Sequence, residues 1–235
     1  MKSKSARDYK ELLRSGKWFH GLDDDVQNAL LELATVQTLA PNARVFSMGD
    51  ASNGLWGIVD GVVRVTTPAP DGSEILLTLA ERPQWLGEIA VFDGQTRSHD
   101  ATASSDVIAI HVSQARLDEW LARDPRVWRS LSTLLTTKLR LVLSSLADIS
   151  TLSLGARLAQ RLVHMADGYG DLRVGTSRVV LVNQEQLAAM LWASRQTVNR
   201  VLKTLEGSGL IRVSYGEIEI LDLEGLKKES CARAD

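Results

Sequence analysis

Apolar positions along this 235-residue chain change period several times, and each change marks a different kind of element. Over residues 8–36 they recur at helical spacing, with Asp23 as a cap and Val26, Ala29, Leu30 and Leu33 as one stripe. From Pro41 to about Val112 the pattern shortens into β-rich runs: Ala43–Ser47, Leu55–Val59, Gly61–Thr67, Glu74–Leu79 and Val107–His111. Gly49-Asp50, Asp60-Gly61 and Asp71-Gly72 punctuate them. Short, evenly spaced strands with turn signals predict an antiparallel sandwich or barrel. Residues 114–150 return to helical spacing, and Trp128, Leu131, Leu135, Leu139, Val142, Leu146 and Ile149 follow at steps of three and four. That is close to a heptad seam. It fits a helix packed on its own sheet or, the reading favoured here, a two-stranded coiled coil between two copies. Thr151-Leu152-Ser153 interrupts the pattern as a hinge, and Ser153 can cap a following helix over 154–167.

Residues 183–212 carry the clearest functional signal. Asn183 with Gln186 forms a capping-box pattern, and Leu187, Met190 and Leu191 give a first short helix its buried face. Ser194 caps a second, which buries Val198, Val201, Leu202 and Leu205 before Gly207 and Gly209 stop it. Arg195, Gln196, Asn199 and Arg200 then point outward. Arg pairs bidentately with guanine O6 and N7, and Asn or Gln does the same for adenine N6 and N7. Ser194 and Thr197 are short donors suited to phosphate at a helix start, and Gln184 and Lys203 complete the set. Such a face is also what an ordinary solvated helical hairpin presents. The following Leu210–Ser214 and Glu217–Leu221 runs, joined by Tyr215-Gly216, read as a β-hairpin, and the combination is a winged helix-turn-helix. The expected partner is double-stranded DNA.

Composition narrows the alternatives. The chain is 44% hydrophobic and carries a formal charge of −2. Residues 156–228 hold ten Lys and Arg against eight Asp and Glu, while residues 1–155 hold sixteen against nineteen. The basic bias of the C-terminal part suits DNA but is too small to identify it. No apolar run approaches the ~18 residues of a membrane helix, and the Lys/Ser-rich start lacks a signal-peptide apolar region. The single cysteine, Cys231, excludes a disulfide framework, a zinc finger and a cysteine-ligated cluster. A cytoplasmic, reducing setting is expected.

Two stretches, SRQTVNRVLKTLEGSGLI (194–211) and GEIAVFDGQTRS (87–98), carry a resemblance over about residues 18–222 to the Crp–Fnr family of bacterial transcription regulators. The first resembles the family's recognition helix, the second the phosphate-binding cassette of cyclic-nucleotide-binding domains. The implied fold is α+β: a β-roll effector domain (1–124), a dimerisation helix and hinge (125–153), a winged helix-turn-helix (154–228) and a tail (229–235). The implied function is a homodimer that reads a palindromic operator. It requires no cofactor and takes a cyclic nucleotide or cyclic dinucleotide, cyclic AMP or cyclic di-GMP, as effector. In the cassette, Gly87 allows a tight turn or close approach, Glu88 can accept from a ribose hydroxyl, Arg97 is a permanent cation for a cyclic phosphate, and Ser98 donates beside it. Taken singly, Glu88 reads as a strand-end carboxylate and Arg97 as a surface cation paired with Asp93 or Asp100. The resemblance implies that Arg97→Ala removes the nucleotide response and leaves the fold intact. It also implies that Arg195 and Arg200 read guanines of a TGTGA-like half-site, and that the Gly168–Arg178 loop touches RNA polymerase.

The chain departs from the family pattern at several positions. The loop between Glu88 and Arg97 is one residue shorter than in cyclic-AMP-binding members, and His99 replaces a small residue. The helix positions that contact adenine in those members fall on Val142 and Leu143, whose aliphatic side chains cannot hydrogen-bond a base. Gln196 replaces a frequent Glu. Trp192 stands where the turn often has Gly, and its indole is expected to pack beneath a slightly altered turn. A haem sensor is disfavoured because His20, His99, His111 and His164 are scattered, and a metal-dependent cupin-like enzyme because no His-x-His occurs. No catalytic or metal-binding residue is assigned. A ligand-independent regulator on the same scaffold is the main alternative.

Overall fold

The computed structural model describes residues 4–70, 72, 74–170, 172 and 178–231. The chain divides into two compact units. One holds the described residues up to Leu139 with Leu172; the other holds Arg140–Gly170 and 178–231.

The first unit opens with a 3₁₀ turn at Ala6–Tyr9, then α1 (Lys10–Leu13), α2 (Lys17–His20) and α3 (Asp24–Leu33). The continuous helical reading of residues 8–36 is therefore corrected on two counts. Gly16 and Gly21 flank α2 and divide the run, and Thr35–Leu39, rich in β-branched residues, leaves the helix to become β1. The strands that follow are β2 (Arg44–Phe46), β3 (Gly54–Asp60), β4 (Val63–Pro68), β5 (Glu74–Ala80) and β6 (Trp85–Leu86). After the short helix α4 (Glu88–Asp93) come β7 (Asp100–Ala103) and β8 (Val107–Ser113), then α5 (Gln114–Arg123) and α6 (Arg126–Thr151). All pairings are antiparallel, in two four-stranded sheets of order β1-β8-β3-β6 and β2-β7-β4-β5.

Strand alternation explains how one strand serves two cores. In β3, Leu55 and Val59 join the helical side with Phe19, Leu30, Trp85, Ile110 and Leu117. Trp56 and Ile58 face the other way, with Val63, Val65, Ala101 and Ala103. Gly57 sits on the helical side, where a Cβ would meet Trp85 and Ile110 at 3.0 Å, so its missing side chain makes room for the indole. Trp85 stacks on Phe19 at 5.8 Å and meets Trp18 edge-on at 4.9 Å. Asp124-Pro125 divides the helical stretch 114–150, since Pro disfavours helix at the preceding residue. On α6, Val127, Leu131 and Leu134 are buried, whereas Leu139, Val142, Leu143, Leu146 and Ile149 are exposed.

In the second unit, Ser153 caps α7 (Leu154–Ala166) by accepting from the Ala156 amide at 3.1 Å. Then come β9 (Val179–Val180), α8 (Gln184–Leu191), α9 (Arg195–Gly207), β10 (Ile211–Ser214), β11 (Glu217–Ile220) and α10 (Leu223–Glu229). The three strands form one sheet of order β10-β11-β9. Residues 171 and 173–177 of the Gly168–Arg178 loop lie outside the described residues, and with them most of the surface expected to meet polymerase. Among the described residues no helix is long and apolar enough to cross a membrane.

Candidate effector and nucleic-acid sites

The cassette begins where β6 ends. Gly87 takes a left-handed conformation (φ 96°) as the N-cap of α4. A Cβ there would stand 2.6 Å from the Gly54 carbonyl and 2.7 Å from Arg97 Nη1, so only glycine fits. Glu88 is the first residue of α4, not a strand-end carboxylate, and is 4% exposed. Its partner is Lys138 of α6, at 3.0 Å. Lys138 Nζ also donates to the Trp85 carbonyl at 2.6 Å, which ties α6 to the strand leading into the cassette.

Arg97 is 3% exposed, which corrects the surface-cation reading. It donates to the carbonyls of Gly87 (2.8 Å) and Gly54 (2.6 Å) and to Asn53 Oδ1, and its guanidinium lies 4.3 Å from the centre of the Phe46 ring. Its Nε is buried without a partner. Neither Asp93 nor Asp100 pairs with it: Asp93 accepts from the Gln95 amide, and Asp100 from Arg44 and the Met48 amide. Burial pulls the Arg97 pKa down, against the opposing pull of Glu88 and Asp50. Ser98 is exposed and shares a 2.9 Å hydrogen bond with His99 Nδ1. The His99 ring meets Phe46 edge-on, and burial holds its pKa below the usual histidine value.

Asn53 organises this corner and escaped the sequence reading. Its Nδ2 donates to the Val45 carbonyl, and its Oδ1 accepts from both Arg97 and Trp56 Nε1. Its backbone carbonyl meets His111 Nε2 at 2.8 Å, and His111 stacks on Trp56 at 4.0 Å. The only local signal was Ser52-Asn53-Gly54, a turn-like tripeptide. Gly87, Glu88, Arg97 and Ser98 thus come together in one unit. Val142 and Leu143 belong to the other, exposed on α6.

On the DNA side, both halves of the Asn183–Gln186 capping box form at 2.9 Å. Ser194 caps α9 by accepting from the Thr197 amide at 3.1 Å, and the two hydroxyls meet at 2.8 Å. Asn199 donates to Gln184 Oε1 at 2.9 Å, so these two half-buried side chains clamp α9 to α8. Ser194, Arg195, Gln196, Arg200 and Lys203 are the exposed members of the expected set. Val201 is only half-buried. Gly207 still belongs to α9, and the chain turns at Gly209 (φ 72°). Trp192 takes the left-handed conformation itself (φ 53°, ψ 45°), and its side chain does not pack beneath the turn: the residue is 69% exposed. A non-glycine residue pays roughly 1–2 kcal/mol for that backbone.

Residues 36–124 match the cyclic nucleotide-binding domain family, and residues 156–229 match the Crp-like helix-turn-helix domain family. A CRP-like cAMP-activated global transcriptional regulator of Mycobacterium tuberculosis is 30% identical over 221 residues, covering 94% of this chain and 99% of the relative. The crystal structure of a CRP-family transcriptional regulator from Thermus thermophilus is 26% identical, with a TM-score of 0.64 over 85% of this chain and 98% of that one. The c-di-GMP responsive global regulator CLP of Xanthomonas campestris shares the fold at 21% identity, with a TM-score of 0.65 over 84% and 99%. With a cyclic-nucleotide-type domain and a helix-turn-helix in this order, matched along nearly its whole length, the chain belongs to the Crp–Fnr family of DNA-binding transcription regulators, whose members are not enzymes.

Proposed function

We propose that this regulator acts in the cytoplasm as a homodimer on a palindromic operator, under the control of a cyclic nucleotide or cyclic dinucleotide bound at Gly87, Glu88, Arg97 and Ser98. The observation that carries the effector reading is Arg97: a nearly fully buried guanidinium beside a glycine-only turn, with its buried Nε–H left unpartnered. An unmet buried donor costs free energy, and an anion entering the cassette would satisfy it. Glu88 supplies the acceptor for a sugar hydroxyl, in competition with Lys138. The aliphatic side chains of Val142 and Leu143 have no group to hydrogen-bond a base, so the phosphate end dominates recognition. The cAMP-activated relative favours cyclic AMP, and the c-di-GMP responsive one keeps a dinucleotide as the second reading.

The dimer reading rests on the seam Leu135, Leu139, Val142, Leu146 and Ile149. The last four are exposed in the single chain, at the spacing that a partner helix would cover. With α9 in the major groove and the β10–β11 hairpin as its wing, Arg195 and Arg200 read guanines, Gln196 favours adenine, and Ser194, Thr197 and Lys203 hold phosphates. Gln184 and Asn199 set the angle of α9. RNA polymerase is a further partner, reached through the Gly168–Arg178 loop.

Isothermal titration of the full chain with cyclic AMP, and in parallel with cyclic di-GMP, tests the effector reading. Saturable binding of either, lost in Arg97→Lys, is the expected outcome. Absence of heat from both ligands would favour the ligand-independent regulator.

A further inference from the structure

Trp192 is a large aromatic residue placed where little among the described residues rewards it. Its backbone is left-handed, a conformation L side chains avoid, and its side chain is mostly in water. Its indole N–H meets no acceptor among the described residues. Glycine or asparagine would hold the same turn without strain. A strained backbone that carries an exposed aromatic points to a task outside the fold.

The position says what that task is. Trp192 closes α8 and stands two residues before Ser194, the N-cap of α9. When a recognition helix enters the major groove N-terminus first, the chain leading into it passes the groove's rim, where the sugar-phosphate backbone runs. The exposed side chains that follow, Ser194, Arg195, Gln196, Arg200 and Lys203, carry three cations and no anion, and the exposed Glu206 comes only near the far end of α9. A polyanion therefore suits this surface better than a neutral protein face.

We infer that Trp192 lies against the backbone of bound duplex DNA, with its ring on a deoxyribose and its N–H donating to a phosphate. The contact is independent of sequence, and it rests on the docking of α9 proposed above. It adds to affinity for any duplex and fixes the depth at which α9 sits.

The test is binding of the full chain to a labelled mixed-sequence duplex by fluorescence anisotropy, for Trp192→Gly, Trp192→Asn and Trp192→Phe, with thermal midpoints measured alongside. Gly and Asn tolerate the left-handed turn, so the midpoint should hold or rise. Their DNA affinity should fall by a factor on the order of ten, the loss expected for one charge-assisted hydrogen bond and its ring contact. Phe, which keeps the ring, should bind more tightly than Gly. Gly and Asn variants that bind as tightly as the parent overturn the inference, including the case where only transcription with purified polymerase falls, which would assign the indole to a protein partner. A Phe variant no better than Gly overturns it too, by making the loss a matter of turn geometry. Arg195→Ala serves as the control for docking. If it also binds unchanged, the proposed docking fails; if it weakens while Trp192→Gly does not, only the present inference fails.

Discussion

Arg97 holds its corner of the fold together as well as standing in the proposed effector site, and a simple deletion cannot separate the two. The resemblance implies that Arg97→Ala silences the effector response and spares the fold. The structure argues otherwise, because the guanidinium satisfies the carbonyls of Gly54 and Gly87 and the amide oxygen of Asn53. Removing it strands buried acceptors, and the expected loss is roughly 2–3 kcal/mol of unfolding free energy. Urea denaturation of Arg97→Ala measures this, and an unchanged midpoint would show that water replaces the guanidinium. Lys138→Met is the complementary case. It leaves the Glu88 carboxylate buried without its cation, and about 1–3 kcal/mol should go with it. Three histidines add a pH dependence: burial holds His99, His111 and His164 below the usual value of 6.5. The unfolded chain then takes up protons that the folded chain refuses. Stability from this source is complete above about pH 6.5 and is lost as pH falls below it. The thermal midpoint should drop between about pH 7.5 and about pH 5.5, and His111→Gln should flatten that drop. A midpoint that is flat in the parent would mean the rings protonate in place.

At the level of elements, legibility followed the length of the hydrophobic signal. The seven expected strands all form, because each sets a run of apolar or β-branched residues between turn residues. The missed ones lack that signature. β6 is only Trp85–Leu86 and β9 only Val179–Val180, β7 is Asp-Ala-Thr-Ala with no bulky side chain, and β1 follows α3 without a glycine or proline to mark the change. The helix α4 was hidden because six residues are too few to show a period. In the cassette, the chemical types of Glu88 and Arg97 were legible, but their burial and the hub role of Asn53 were not, since both depend on strands distant in sequence. The seam on α6 is the reverse case: period alone exposed it, and a single chain leaves most of it uncovered. Leu146→Glu places a charge at the centre of that seam. It should convert a dimer into a monomer in sedimentation equilibrium, with the helical signal of the rest of the chain retained. A dimer that persists would move the contact between copies to another surface.

At the scale of the whole molecule, the function proposed above makes α6 the element through which an effector and an operator would communicate. Its residues up to Leu139, Lys138 among them, belong to the unit with the cassette, and those from Arg140 onward to the unit with the helix-turn-helix. Lys138 links this helix to Glu88. If, as proposed, an effector takes Glu88 for its sugar hydroxyl, it displaces or shares that ammonium, and it would then bind arrangements of α6 that differ at this pair with different affinities. That difference is all it has with which to shift the equilibrium. Linkage then makes a strict demand. If cyclic AMP raises affinity for operator DNA by some factor, operator DNA raises affinity for cyclic AMP by the same factor, in the range of about 5–150 for ordinary allosteric coupling. Titrating cyclic AMP into the free protein and into its complex with a TGTGA-like palindrome measures one side of the square. Anisotropy of that DNA with and without cyclic AMP measures the other. Equal factors above one are expected in the parent. In Lys138→Met both factors should shrink together, because the link that makes the two arrangements unequal for the ligand has been cut. A parent that binds cyclic AMP with a factor of one on both sides would leave the cassette occupied but uncoupled. The regulator's DNA binding would then be set by its concentration alone.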